Sequence, residues 1–155
     1  MNLSPVWEYV ADTVMGGVST GQIEPIAMDG MIATRLTGDV SLDNDGGFVQ
    51  MAFDLRPDGA ALDASAFTGI EITVRGNDEP YDLRLRTDQL ERPWQSFRTD
   101  FQATPEWQTL RIPFASVTPH RTDVLFDPAR LRRIGVLAIG REFHADITVA
   151  QIGFY

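Results

Sequence analysis

The sequence predicts an all-β protein, an antiparallel, jelly-roll-like β-sandwich with at most short helical turns. Three observations carry this. Most segments alternate apolar and polar residues with period two, turn signals recur at close spacing, and long helical periodicity is missing. Periodicity alone leaves an immunoglobulin-like sandwich and a barrel open beside the jelly roll.

Taken in order, residues 33–38 and 48–53 read as strands separated by the polar turn 42–47. Ile70, Ile72 and Val74 then face one way, with Glu71, Thr73 and Arg75 facing the other. Gly76-Asn77-Asp78-Glu79-Pro80 is a turn signal. Beyond it Tyr81, Leu83 and Leu85 share a face opposite Asp82, Arg84 and Arg86, so these two runs are expected to pair as antiparallel neighbours. Phe97, Thr99 and Phe101 alternate with Arg98 and Asp100, and Leu110, Ile112 and Phe114 form the next apolar set. The stretch 134–140 is apolar on both faces, which predicts a central buried strand. Phe143, Ala145, Ile147 and Val149 alternate once more, and residues 152–155 close a sheet. One turn or short helix is expected at 127–133, with Asp127 as its cap and Pro128 in its first position.

The 155 residues fit a single domain, 1–155, with ordinary apolar (43%) and charged (23%) content for a globular chain. The formal charge of −9, from 13 basic and 22 acidic residues, argues against nucleic acid and anionic membranes as partners. Every basic residue is arginine. A GC-rich coding bias explains this, and arginines clustered on one face would favour selection for bidentate contacts instead. Cysteine is absent, which excludes disulfides, thiolate metal sites and cysteine nucleophiles. No signal-peptide pattern, presequence or membrane-spanning run is present. The expectation is a cytoplasmic protein, bacterial or trimmed from a longer chain, with no membrane insertion.

The most distinctive stretch is Asp12-Thr13-Val14-Met15-Gly16-Gly17-Val18-Ser19, read with Gly46-Gly47-Phe48. Adjacent glycines permit positive φ and close backbone approach, so a shaped loop is expected, pinned by Trp7 upstream. Trp7 with this motif and the later Gly-Gly-Phe resembles the opening of the CIA30 family, the complex I intermediate-associated protein 30 group. Further matching elements follow in order over nearly the whole chain. These are Phe67-Thr68-Gly69-Ile70, Val74-Arg75-Gly76, Tyr81-x-Leu83-x-Leu85-Arg86, Trp107, Ile112-Pro113-Phe114 and Leu131-Arg132-Arg133-Ile134-Gly135. The resemblance implies a galactose-binding-like jelly roll, similar to some carbohydrate-binding modules. It also implies an assembly factor with a protein partner, since the family's namesake helps assemble respiratory complex I.

Two regions are candidate contact surfaces. In the first loop, Asp12 and Ser19 offer polar atoms, Gly16 and Gly17 expose amides, and Met15 supplies an adaptable apolar contact. The structural alternative has Asp12 and Ser19 bonding local amides while Trp7 and Met15 fill core gaps. In the second region, Arg75, Arg84 and Arg86 with Glu71 and Asp82 share one non-core strand face, to which Trp94 or Tyr81 would add an aromatic platform. Its alternative is a solvated face of cross-strand ion pairs. If that face is functional, replacing Arg84 and Arg86 together by alanine is expected to preserve folding and weaken binding.

Asp39, Asp43, Asn44 and Asp45 invite a calcium reading but lack an EF-hand pattern, and ordinary turn chemistry accounts for them. His120 and His144 have no metal-ligand spacing, and no nucleophile elbow or phosphate-cradling motif is visible. No cofactor is implied. The first functional reading is a non-enzymatic domain binding a protein partner, with respiratory complex I subunits or assembly intermediates as the implied partners. The alternative is a module for carbohydrate or a small polar ligand on the concave face. A weaker third reading is an enzyme using surface carboxylates such as Asp12 or Glu71.

Overall fold

Eleven strands divide between two antiparallel sheets packed face to face, in a computed structural model that describes residues 1–155. The six-stranded sheet runs β1 (Glu8–Ala11), β4 (Phe48–Asp54), β10 (Leu131–Ile139), β6 (Glu79–Thr87), β7 (Ser96–Ala103), β9 (Thr118–His120). The five-stranded sheet runs β2 (Thr20–Met28), β3 (Met31–Val40), β11 (Phe143–Phe154), β5 (Gly69–Gly76), β8 (Gln108–Pro113). Helical structure is limited to 3₁₀ turns at Asp12–Met15, Asp43–Asp45, Phe114–Ser116 and Pro128–Arg130. No helix is long and apolar enough to cross a membrane.

The alternation seen in the sequence sorts side chains between the core and two outer faces. Leu36, Ile70, Ile72, Val74 and Ile147 of the smaller sheet meet Met51, Leu83, Leu85, Ile134, Val136 and Phe97 of the larger, all without solvent exposure. Burial of these aliphatic and aromatic side chains is the main stabilising term. Trp7 packs edge-on against Phe53, with ring centroids 4.8 Å apart. Strand β10 occupies the central position expected of residues 134–140, between β4 and β6. The expected helix contracts to Pro128–Arg130, capped as foreseen by Asp127, whose Oδ1 accepts from the Ala129 amide at 2.9 Å. Its second half, from Leu131, extends into β10.

The structure corrects one pairing. Strands β5 and β6 are successive in sequence yet lie in different sheets, each paired with other partners. The connector after Gly76 therefore crosses the sandwich instead of closing a hairpin. Either arrangement buries alternate residues in one core, so both leave the same periodic trace. Strand β11 absorbs the two C-terminal segments into one strand, with a register shift between Val149 and Gln151. Strands β1, β2 and β9 escape the periodicity: β1 and β9 are short, and β2 is a largely exposed edge strand carrying Gly21 and Pro25.

Tyr81 joins the sheets by a polar staple. From β6 its buried hydroxyl donates to Asn77 Oδ1 at 2.6 Å and accepts from the Asp146 amide of β11 at 2.9 Å. Burial pushes this phenol up from 10.0 to about 12. Tyr81→Phe should cost about 1–2 kcal/mol by stranding both partners, read as a lower urea midpoint with an unchanged slope. The raised value also sets a sign. Above pH 10.0 the unfolded chain releases this proton first, so stability should fall as pH rises from there towards about 12, and Tyr81→Phe should remove that share of the loss.

Candidate functional site

The distinctive loop is built around one buried carboxylate. Asp12 is fully buried, and its Oδ2 accepts from Ser19 Oγ, from the Gly47 amide at 2.6 Å and from the Phe48 amide at 3.2 Å. Its Oδ1 accepts from the Ser19 amide at 3.0 Å. Burial opposes ionisation of Asp12, but these hydrogen bonds outweigh it and hold the carboxyl below its ordinary value. Gly17 and Gly46 make the approach feasible, because a Cβ at either would sit 2.4 or 2.5 Å from a carboxylate atom. Gly16 ends the 3₁₀ turn in the left-handed region at φ 89°.

Asp12, Gly17 and Ser19 thus serve the fold: the Ser19 contact is local as the structural alternative has it, whereas the Gly47 and Phe48 amides come from a distant turn. Met15 departs from that alternative: it is 60% exposed and fills no core gap. The tight turn thrusts Val14 and Met15 outward over a groove on the outer face of the six-stranded sheet.

That groove encloses about 780 Å³. Its floor is Val10 of β1, Gln50 and Ala52 of β4, and Gly135, Leu137 and Ile139 of β10. Met15, Gly46 and Gly47 stand near the Ile139 end of β10, where Gly140 donates to the Gly47 carbonyl. Pro93 and Trp94 stand near the Arg133 end, on the connector between β6 and β7. Trp94 is 56% exposed, with the Arg92 guanidinium 5.9 Å from its ring centroid. A smaller pocket of about 230 Å³, beneath the N-terminal residues and β11, has no charged lining side chain.

Arg84 and Arg86 line one wall. Arg84 and Arg98 face each other across β6 and β7 and share the buried carboxylate of Asp82, with Arg98 bidentate at 2.8 and 2.9 Å. Burial works against the Asp82 charge, yet the Arg98 and Arg84 bonds prevail and hold its carboxyl below the usual value. Arg84 also donates to Ser96 Oγ at 3.2 Å. Arg86 donates to the carbonyls of Arg92, Pro93 and Gln95, which ties down the loop bearing Trp94. Desolvation, then Arg132 and Arg133, push the Arg86 guanidinium below its ordinary value. His120 is likewise lowered, by burial first and then by Arg84, Arg121 and Arg98, so it is neutral at pH 7.

Of the ten residues singled out from the sequence, the groove gathers Met15, Arg84, Arg86 and Trp94. Glu71 and Arg75 lie on the opposite outer face, because β5 belongs to the other sheet. There Glu71 pairs with Arg111 at 2.9 Å, and Arg75 pairs with Asp29 at 3.2 Å beside the Trp107 ring. Arg84 and Arg86 each satisfy buried or backbone acceptors, so replacing both by alanine removes contacts within the fold as well as from the groove wall. Sequence reasoning missed Val14, Gln50, Leu137, Ile139, His120 and Arg121. The two-faced apolarity of β10 was the visible signal for Leu137 and Ile139, for its second face is the groove floor. Asp39, placed in the acidic turn, bonds His144 Nδ1 at 2.8 Å.

The fold is a jelly-roll sandwich like that of carbohydrate-binding modules. The family 11 carbohydrate-binding module from Clostridium thermocellum, solved in complex with a β-1,3-1,4-mixed-linked tetrasaccharide, is similar at a TM-score of 0.77 and 14% identity, covering 99% of this chain and 93% of that one. The family 30 module of a cellulosomal cellulase of the same organism is similar at a TM-score of 0.69 and 17% identity, covering 99% and 94%. Identities this low speak to the fold alone. The Complex I intermediate-associated protein 30 (CIA30) family matches residues 2–147, and the chain belongs to it. Comparison with curated proteins finds no match.

Asp12→Asn should cost about 3 kcal/mol, because an amide nitrogen would face donors that now meet a charged oxygen. Gly17→Ala should destabilise too, through its clash with the same carboxylate. Since the Asp12 value is lowered on folding from 3.8, its contribution is fully present above that pH and is lost as pH falls through the folded value. Acid unfolding followed by circular dichroism should therefore flatten in Asp12→Asn at the acid end.

Proposed function

We propose that this chain is a non-catalytic binding domain that holds a polypeptide partner in the groove, as an assembly factor for respiratory complex I subunits or intermediates. The observation that carries the reading is the aliphatic floor between two exposed anchors, Met15 and Trp94. Tryptophan, methionine and arginine are the side chains enriched at protein interfaces, and buried aromatic anchors dominate their energetics. Val10 and Ile139 offer apolar contact on the floor, and Gln50, Arg84, Arg86 and Arg121 around them can pair with the backbone and side chains of a polypeptide. The family's description names association with complex I intermediates, which supplies the class of partner.

A second reading rests on one observation of its own. Trp94 presents an exposed ring above a groove in a fold shared with modules that bind saccharide. A crosslinked pull-down from the native host separates the two, with Trp94→Ala as the control because that exposed side chain has no core to disturb. The expected result is recovery of complex I subunits by the native protein and at least a tenfold lower yield with Trp94→Ala. Binding of the β-1,3-1,4 tetrasaccharide, with groove-residue shifts in an NMR titration and no protein recovered, would instead establish the saccharide reading.

A further inference from the structure

One wall of the groove collects positive charge on an acidic protein, while Arg133 at the same groove is matched by Asp54 at 2.8 Å and Glu8 at 3.5 Å. Across the chain 13 arginines face 22 acidic residues, and most arginines outside the groove are matched singly to a carboxylate. Arg35 pairs with Asp146, Arg56 with Asp58, Arg75 with Asp29, Arg111 with Glu71, Arg130 with Asp88 and Arg141 with Glu79. The wall formed by β6, β7 and the residues after β9 departs from this pattern. Arg84 and Arg98 share the one carboxylate of Asp82, which leaves a charge over. Arg86 is satisfied by carbonyls alone, and Arg121 is exposed; neither has a carboxylate within ion-pair distance. Arg92, also without an acidic partner, flanks Trp94. Asp45 is the single acidic residue lining the groove.

Spacing adds to charge. Arg84 and Arg86 are two residues apart on one face of β6, so their backbone positions are separated by roughly 7 Å along the strand. Alternate side chains of an extended peptide repeat at that same interval. In β10, one strand away, Gly135 and Arg133 lie opposite Arg84 and Arg86, and the apolar Leu137 and Ile139 follow further along, from the position opposite Asp82 onward.

Resting on the reading of the groove as a polypeptide site, we infer that its occupant is an extended acidic segment with Asp or Glu alternating with apolar residues. The carboxylates lie along the Arg84–Arg86–Arg121 wall and the apolar side chains lie on the β4–β10 floor. Such a segment neutralises the excess guanidinium charge and covers Val10 and Ile139, and like-charge repulsion from the rest of the −9 surface confines it to the groove.

The test is selection of a random 12-residue peptide library on the intact protein, followed by calorimetry on the strongest peptide and its Glu/Asp→Gln/Asn version. Acidic residues should exceed basic ones in the selected set. The amide version should bind at least tenfold more weakly, Arg121→Glu should weaken binding tenfold or more, and Arg75→Ala on the opposite sheet should leave it unchanged. Affinity should also fall as salt rises. Selected peptides that are lost with Trp94→Ala but carry no acidic excess, or bind equally as amides, would overturn the charge inference and leave the groove reading standing. Peptides insensitive to Trp94→Ala, or no enrichment at all, would overturn both.

Discussion

The Asp12 carboxylate is the interaction on which the groove end of this molecule depends. Its two oxygens gather donors from three places: Ser19 at the entry to β2, Gly47 in the turn before β4, and Phe48 within β4. Ser19 Oγ extends the cluster by accepting from the Ser41 amide at 2.8 Å, just beyond β3. Strands β2 and β3 belong to one sheet and β4 to the other, so a single side chain fixes how the chain passes between layers. A buried carboxylate without such donors would cost more than it returned. With all of them, and with glycines leaving room on two sides, it becomes a rigid corner. The same corner sets where Val14, Met15 and the Gly46-Gly47 edge stand over the sheet.

The two outer faces use charge differently. On the five-stranded sheet, Arg35, Arg75 and Arg111 each meet a carboxylate, and Thr73 bonds Thr109 across the strands at 2.9 Å. Such exposed pairs contribute little individually to stability, but they leave the face electrically quiet and well solvated. On the six-stranded sheet, ion pairs are held to the Arg84–Asp82–Arg98 cluster and to Arg133 with Asp54 and Glu8, and Gly135, Leu137 and Ile139 continue along the central strand without them. Nothing about sandwich packing requires an apolar stripe on that side, since Ile134, Val136 and Ala138 already supply the core. An apolar surface of this kind bounded by charged residues is the usual form of an interaction site.

Much of this was legible in the residues. Apolar patterning located eight of the strands, β10 by its two apolar faces and the others because each buries one face, and Asp127-Pro128 marked its 3₁₀ turn. The Asp-Met-Gly-Gly-Ser stretch announced a shaped loop, although a motif cannot say which of its members turn inward. Asp12 points in and Met15 points out because of the left-handed Gly16 and the tight turn before it, a geometry set by backbone and not by residue type. The partition of strands between sheets was not legible. Alternation reports burial of a face but carries no record of which sheet the strand joins, so Arg75 and Arg84 looked like neighbours while lying on opposite sides. Arg121 lies in a segment without periodicity, so only the folded chain brings it to the wall.

Arg86 joins these strands of argument. A half-buried guanidinium with no carboxylate partner, flanked by Arg132 and Arg133, is an unfavourable way to stabilise a sheet. A neutral side chain at this position would leave three carbonyls to water, at the surface, at modest expense. The arrangement makes physical sense if the charge serves two ends together: holding the connector that presents Trp94, and keeping the adjoining wall positive. The folded core thus accounts for the inner face of β6 completely. Its outer face carries Asp82, Arg84 and Arg86, whose bonds tie β7 and the Trp94 connector to the sheet.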